Sequence, residues 1–202
     1  MPNEVSYPGL LSATYWQVGG AQDLTLTGSI NLSGSYTHNI SNSALTTYAG
    51  VLHTGGFTKT GAGTLVLSNN NIYTGSTTIS TGVLRATHSG ALGTMEAPTI
   101  VVAGAMLELA NNAATAEPVT INGSGIASLG ALSSTSGNNS VGNVTLASSS
   151  VISVTAGNLT AANVDATGAA NLTKSGAGTL TSNRVKTAAL AVDAGELKIS
   201  PG

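Results

Sequence analysis

The sequence predicts an all-β parallel β-helix, a solenoid of short strands, and three observations carry that prediction. The first is composition. Six Lys and Arg and eight Asp and Glu make the 202-residue chain 7% charged, against about 25% for an ordinary soluble domain. In their place stand 28 Thr, 26 Gly, 24 Ser and 17 Asn, with 28 Ala besides. The second is the way apolar residues arrive, in short alternating runs broken by turn formers. The third is internal repetition.

The composition excludes several classes. Six basic residues and a formal charge of −2 do not neutralise a run of phosphates, so nucleic acid is not an expected partner. Gly, Asn and Thr are poor helix formers, which argues against a helical bundle. A hydrophobic content of 41% and a mean hydropathy of +0.24 are too high for a disordered chain. The absence of cysteine removes disulfides and thiolate metal sites. The first eight residues show no basic stretch leading into an apolar one, so no signal peptide is visible. With export, the chain is therefore expected to lie inside a longer precursor. No apolar run approaches the roughly 18 residues of a membrane-spanning helix.

Taken in order, the strand signals are Leu24–Leu26, Thr64–Leu67, Thr77–Ile79, Val83–Leu84, Thr99–Val102, Met106–Leu109, Val119–Ile121, Val144–Leu146, Val151–Val154, Leu190–Val192 and Leu197–Ile199. Each alternates at period two. The separators, such as Asn69–Asn71, Ser80–Gly82, Asn111–Asn112 and Gly137–Asn139, contain residues that accept positive φ. No stretch sustains a period of 3.6.

The repeat fixes the architecture. Phe57-Thr-Lys-Thr-Gly-Ala-Gly-Thr-Leu65 returns 115 residues later as Leu172-Thr-Lys-Ser-Gly-Ala-Gly-Thr-Leu180. Each copy runs on to a strand that opens with Gly82-Val-Leu84 or Gly195-Glu-Leu197. A self-similar unit of short strands points to a solenoid. Seven aromatic residues are few for the core of a sandwich, whereas a narrow tube is filled by stacked Leu, Ile, Val and Ala. With roughly 20–25 residues per coil, eight to ten coils make a rod of roughly 40–50 Å. Residues 51–202 are expected to form these coils, with repeat units at 57–86 and 172–199. Residues 1–50 match no repeat and hold Tyr7, Tyr15, Trp16, Tyr36 and Tyr48, so an irregular coil or an N-terminal cap is expected there.

Residues 58–86 resemble the autotransporter-associated β-strand repeat, which runs Leu-x-Lys-x-Gly-x-Gly-Thr-Leu-x-Leu, then Asn-x-Tyr-x-Gly-x-Thr-x-Ile, then Gly-x-Leu. Lys59, Gly61, Gly63, Thr64, Leu65, Leu67, Asn71, Tyr73, Gly75, Thr77, Ile79, Gly82 and Leu84 all fall in place. Lys174, Gly176, Gly178, Leu180, Gly195 and Leu197 repeat part of the pattern, but Arg184-Val-Lys186 replaces the Asn-x-Tyr-x-Gly corner. The resemblance implies a right-handed, single-stranded β-helix from the passenger of a bacterial surface or secreted protein exported by type V secretion. Membrane attachment would come only through a C-terminal barrel absent from this chain. It also implies structural roles: Gly61, Gly63, Gly75 and Gly82 at corners that a Cβ would crowd, Leu65, Leu67, Ile79 and Leu84 pointing inward, and Tyr73 covering a corner.

Catalytic chemistry finds little material. β-Helix polysaccharide lyases and hydrolases need two or three converging carboxylates, and the eight acids here are scattered. His38, His53 and His88 lack metal-ligand spacing and read as exposed or turn residues. There is no Gly-x-Ser-x-Gly elbow, and Gly61-Ala-Gly63 and Gly176-Ala-Gly178 lack the third glycine of a phosphate-binding loop. Lys59 and Lys174 read as solvated corner lysines that discourage sideways strand pairing. No catalytic, cofactor or metal residues are therefore assigned, and no cofactor is expected. The leading reading is a non-enzymatic scaffold or stalk that also nucleates folding during export. The alternative is an adhesin module that binds a glycan or host-surface ligand, or self-associates end to end or face to face; a polysaccharide-active enzyme comes third.

Overall fold

The computed structural model describes residues 3–5, 15–32 and 34–200. Every pairing among the described strands is parallel, and a single 3-10 turn, Ile126–Ser128, is the only helical element described. The chain winds as a β-solenoid. A first sheet stacks ten strands, a second stacks nine, and a third stacks four strands that begin at Asn138–Val141. A two-stranded ladder, Ile30–Asn31 with Leu52–His53, stands on the third side earlier in the chain.

Register shows the winding directly. In the first sheet the paired positions run Leu24, Thr46, Leu65, Leu84, Leu107, Leu132, Ile152, Lys174 and Val192. Successive members are 18 to 25 residues apart, the length of one coil. Ten strands leave nine intervals, and at about 4.8 Å each they span roughly 43 Å. In the second sheet Thr77, Thr99, Val119, Val144 and Val164 lie over one another.

Period-two alternation decides which side chains enter the tube. Leu65, Leu67, Ile79 and Leu84 are fully buried, as are Leu107, Leu132, Ile152 and Leu146. Between residues 15 and 50 the strands Tyr15–Val18, Leu24–Leu26, Ser35–Ile40 and Leu45–Tyr48 continue the same two main sheets. Trp16, Tyr36 and Tyr48 pack into the tube there, whereas Tyr15 is exposed. Trp16 stacks on His38 at 5.2 Å and His38 on Phe57 at 5.2 Å, while Tyr48 meets His38 edge-on. Tyr7 lies outside the described residues.

The two repeat copies occupy different faces. In the first, Gly56–Thr60 belongs to the second sheet and Thr64–Leu67 to the first. In the second, Leu172–Ser175 belongs to the first sheet and Thr179–Ser182 to the third. Leu65 nevertheless pairs with Leu84 just as Leu180 pairs with Leu197. The middle turns differ, as the missing Asn-x-Tyr-x-Gly suggests: Val185–Lys186 is a strand of the second sheet, whereas Asn71–Tyr73 contributes one isolated bridge, Ile72 to His53.

Candidate functional site: lysine latches inside the solenoid

Lys59 and Lys174 are the chemically distinctive residues of the repeat, and neither is solvated. Both are fully buried, which corrects the expectation of exposed corner lysines. The reason is local. Phe57 and Leu172 point inward, and alternation puts the residue two positions on, the lysine, on the same inner face.

A buried ammonium without partners is costly, and each of these carries three. Lys59 Nζ donates to the carbonyls of Thr60 (3.2 Å), Gly61 (2.6 Å) and Thr81 (2.9 Å). Lys174 Nζ donates to those of Gly176 (2.5 Å), Gly178 (2.6 Å) and Ala194 (2.9 Å). Three N–H groups thus meet three oxygens, the full donor capacity of the head group. In each case two oxygens belong to the corner of the lysine's own coil and one to the next coil, so the side chain ties neighbouring turns together.

Glycine makes the corner possible. Gly82 has φ +72°, and a Cβ there would sit 2.5 Å from Lys59 Nζ and 2.6 Å from the Gly63 oxygen. Gly195 repeats the arrangement, with φ +69° and a Cβ that would lie 2.6 Å from Lys174 Nζ. Burial lowers the pKa of both ammonium groups, that of Lys59 to about 8. Lys59 is therefore still mainly protonated at neutral pH, the state three carbonyl acceptors require.

Other polar side chains inside the tube work in the same way. Asn71 accepts from Leu52 N (2.9 Å) and donates to Ala91 O (2.6 Å), bridging the coils before and after its own. Asn139 accepts from Ala113 N and donates to Ser134 Oγ and Ser136 O. Asn42 donates to Gln22 O at 2.9 Å. Tyr73 sits inside the tube, against Phe57, rather than over a corner, and its hydroxyl shares a 2.6 Å hydrogen bond with Thr77.

Three titratable groups inside the tube are buried without full satisfaction, and one is Tyr48, whose hydroxyl has no partner and whose pKa burial raises above its ordinary 10. Neither ring nitrogen of His38 has a partner, and burial lowers its pKa from 6.5 to about 4. The histidine is neutral and packed among aromatics, not exposed. Glu117 accepts from Thr99 Oγ1 at 2.8 Å through one oxygen while the other has no partner; burial raises its pKa to about 8. His88 does occupy an exposed turn, where its Nδ1 accepts from Gly90 N.

The remaining charges are distributed around the rod. Glu108 pairs with Arg85 on the outer side of the first sheet, Asp165 with Arg184 on the second and Glu196 with Lys198 on the third. Among the described residues no three His, Asp or Glu gather as a metal site. A groove of about 690 Å3 runs past Thr54, Gly55, Thr58, Gly75 and Ser76, and no titratable group lines it.

Residues 57–86 match the model of the passenger-associated-transport-repeat family. The repeat read from Lys59, Gly61, Gly63 and the strands that follow is thus an autotransporter passenger repeat. Over 109 residues, 53% of this chain, the sequence is 38% identical to a protein of Brucella suis biovar 1 (strain 1330) named adhesin BmaC autotransporter. The matched part covers 3% of that adhesin's length. No solved structure matches the chain.

Proposed function

We propose, taking residues 57–86 as an autotransporter passenger repeat, that this chain is a non-enzymatic structural segment of a bacterial surface or secreted passenger. In this reading it is a stalk that holds other parts of the protein away from the cell. Its stacked coils also guide folding after export through the type V route. The observation that carries this reading is the pair of lysine latches. Each spans one coil boundary through hydrogen bonds to backbone carbonyls, so it adds cohesion along the rod and presents nothing to a substrate. A parallel ladder supports the folding role as well, because each finished coil offers a complete strand edge on which the next one pairs.

The test is removal of one turn. Leu65 and Leu84 are register partners 19 residues apart, so deleting residues 65–83 from the full-length protein joins Thr64 to Leu84 and preserves the stacking order. Surface display and protease resistance should persist, because a stalk tolerates a change in length. Loss of display, or of a hydrolytic activity of the full-length protein while display is kept, would overturn the stalk reading.

A further inference from the structure

Among the described residues, the strands of the first sheet carry one ion pair on their outer face. Arg85 and Glu108 are register partners on adjacent strands, and Arg85 Nε lies 3.0 Å from Glu108 Oε2. The other Glu108 oxygen accepts from Thr135 Oγ1 at 2.8 Å. Both carboxylate oxygens are therefore engaged, and the Glu108 side chain is only 10% exposed. The Arg85 side chain is 32% exposed, and among the described residues no acceptor takes its two Nη groups.

These residues line a concavity of about 350 Å3 that also includes Val66, Thr87 and Asn111. Asn111 is held by Ser136, which accepts from its backbone N–H and donates to its Oδ1. Its Nδ2 has no partner among the described residues. The hollow thus combines an apolar floor at Val66 with hydroxyls and a set of unused donors: the two Arg85 Nη groups and Asn111 Nδ2. The Arg184–Asp165 and Lys198–Glu196 pairs lack this setting. Their basic side chains are 60% and 55% exposed, and neither pair lines the concavity.

We propose that this hollow binds a carboxylate-bearing sugar residue of a glycan, with the carboxylate on the Arg85 Nη groups and ring oxygens near Asn111 and Thr87. Arg85 Nε is ion-paired with Glu108 but makes no hydrogen bond, and the Nη edge of the guanidinium left beside it is a fork of donors, the shape that matches a carboxylate bidentately. With Glu108 saturated, the groups left unused around it are donors, so the fitting ligand is rich in acceptors. A sugar's weakly apolar face suits Val66. This inference goes beyond the stalk reading and does not depend on it.

The test is an NMR titration of the chain with trigalacturonate and, in parallel, with neutral galactotriose. The acidic trisaccharide should shift resonances of Arg85, Glu108, Asn111 and Thr135 with a dissociation constant of about 1 mM or tighter. Arg85→Met should weaken it at least tenfold, and Arg85→Lys should restore only part of the loss. Asn111 has φ +60°, so Asn111→Gly removes the amide donor without backbone strain. That second variant should weaken binding several-fold even where Arg85→Met disturbs folding. Arg184→Met, on the second sheet, should bind as the parent does. Absence of binding, shifts confined to other faces, equal affinity for galactotriose, or full affinity in both Arg85→Met and Asn111→Gly would each overturn the proposal.

Discussion

At the scale of single residues, the tube's interior is less uniformly apolar than its composition suggests. Lys59 is held by three backbone oxygens and no carboxylate. Lys59→Met keeps much of the aliphatic volume but strands those oxygens. Urea unfolding should therefore show a loss of about 2–4 kcal/mol, since each buried acceptor left unpaired costs about 1–3 kcal/mol. An unchanged midpoint would mean that water reaches the corner. His38 and Glu117 set the pH response with opposite signs. The folded-state pKa of His38 lies at about 4, below its ordinary 6.5. The unfolded chain then binds more protons between those values, and stability falls as pH falls through them. Glu117 lies at about 8, above its ordinary 4.5, so the folded chain binds the extra proton and stability falls as pH rises through that window. The two slopes cancel between 4.5 and 6.5, leaving a plateau and then a decline toward pH 8. In Glu117→Gln the decline above 6.5 should vanish. In His38→Phe stability should instead drop from 4.5 upward. Denaturation midpoints across this range check both.

Among elements, the strands were readable because alternation and turn residues are local properties. Leu65, Leu67, Ile79 and Leu84 are fully buried, the inward placement that the resemblance to the repeat implies. The inward lysines were readable by the same rule, since Phe57 and Leu172 fix the face of the residue two positions on; charge argued for solvent, and the alternation was the stronger signal. Not readable was anything that depends on which coils become neighbours. The Arg85–Glu108–Thr135 chain joins residues 23 and 27 positions apart, and coil lengths of 18 to 25 residues leave such partners undetermined without the stacked structure. Asn71 shows how a turn with a single bridge, Ile72 to His53, is held in register. It replaces two ladder hydrogen bonds, to Leu52 N and Ala91 O, with one side-chain amide. Asn71→Ala leaves both groups buried and unpaired, and thermal unfolding should report a loss of about 2–4 kcal/mol.

The whole molecule is a one-dimensional stack in which each coil touches chiefly its neighbours, so cohesion must be renewed at every boundary. The scarcity of charge belongs to this scale: slim interiors, glycine corners and hydroxyl faces recur in each turn and use few ionisable groups. The lysine latches also have a consequence for how the molecule meets reagents from outside. Four lysines occur in the sequence, Lys59, Lys174, Lys186 and Lys198, and two of them are sealed within the rod. Amine-reactive esters should modify the side chains of Lys186 and Lys198 in the native protein and all four once it is unfolded. Mass spectrometry after brief labelling checks this, and early modification of Lys59 would contradict the buried placement. Tryptic cleavage after Lys59 and Lys174 should be suppressed for the same reason. A rod built in this way withdraws two of this chain's four lysines from proteases and acylating agents while still using their charge.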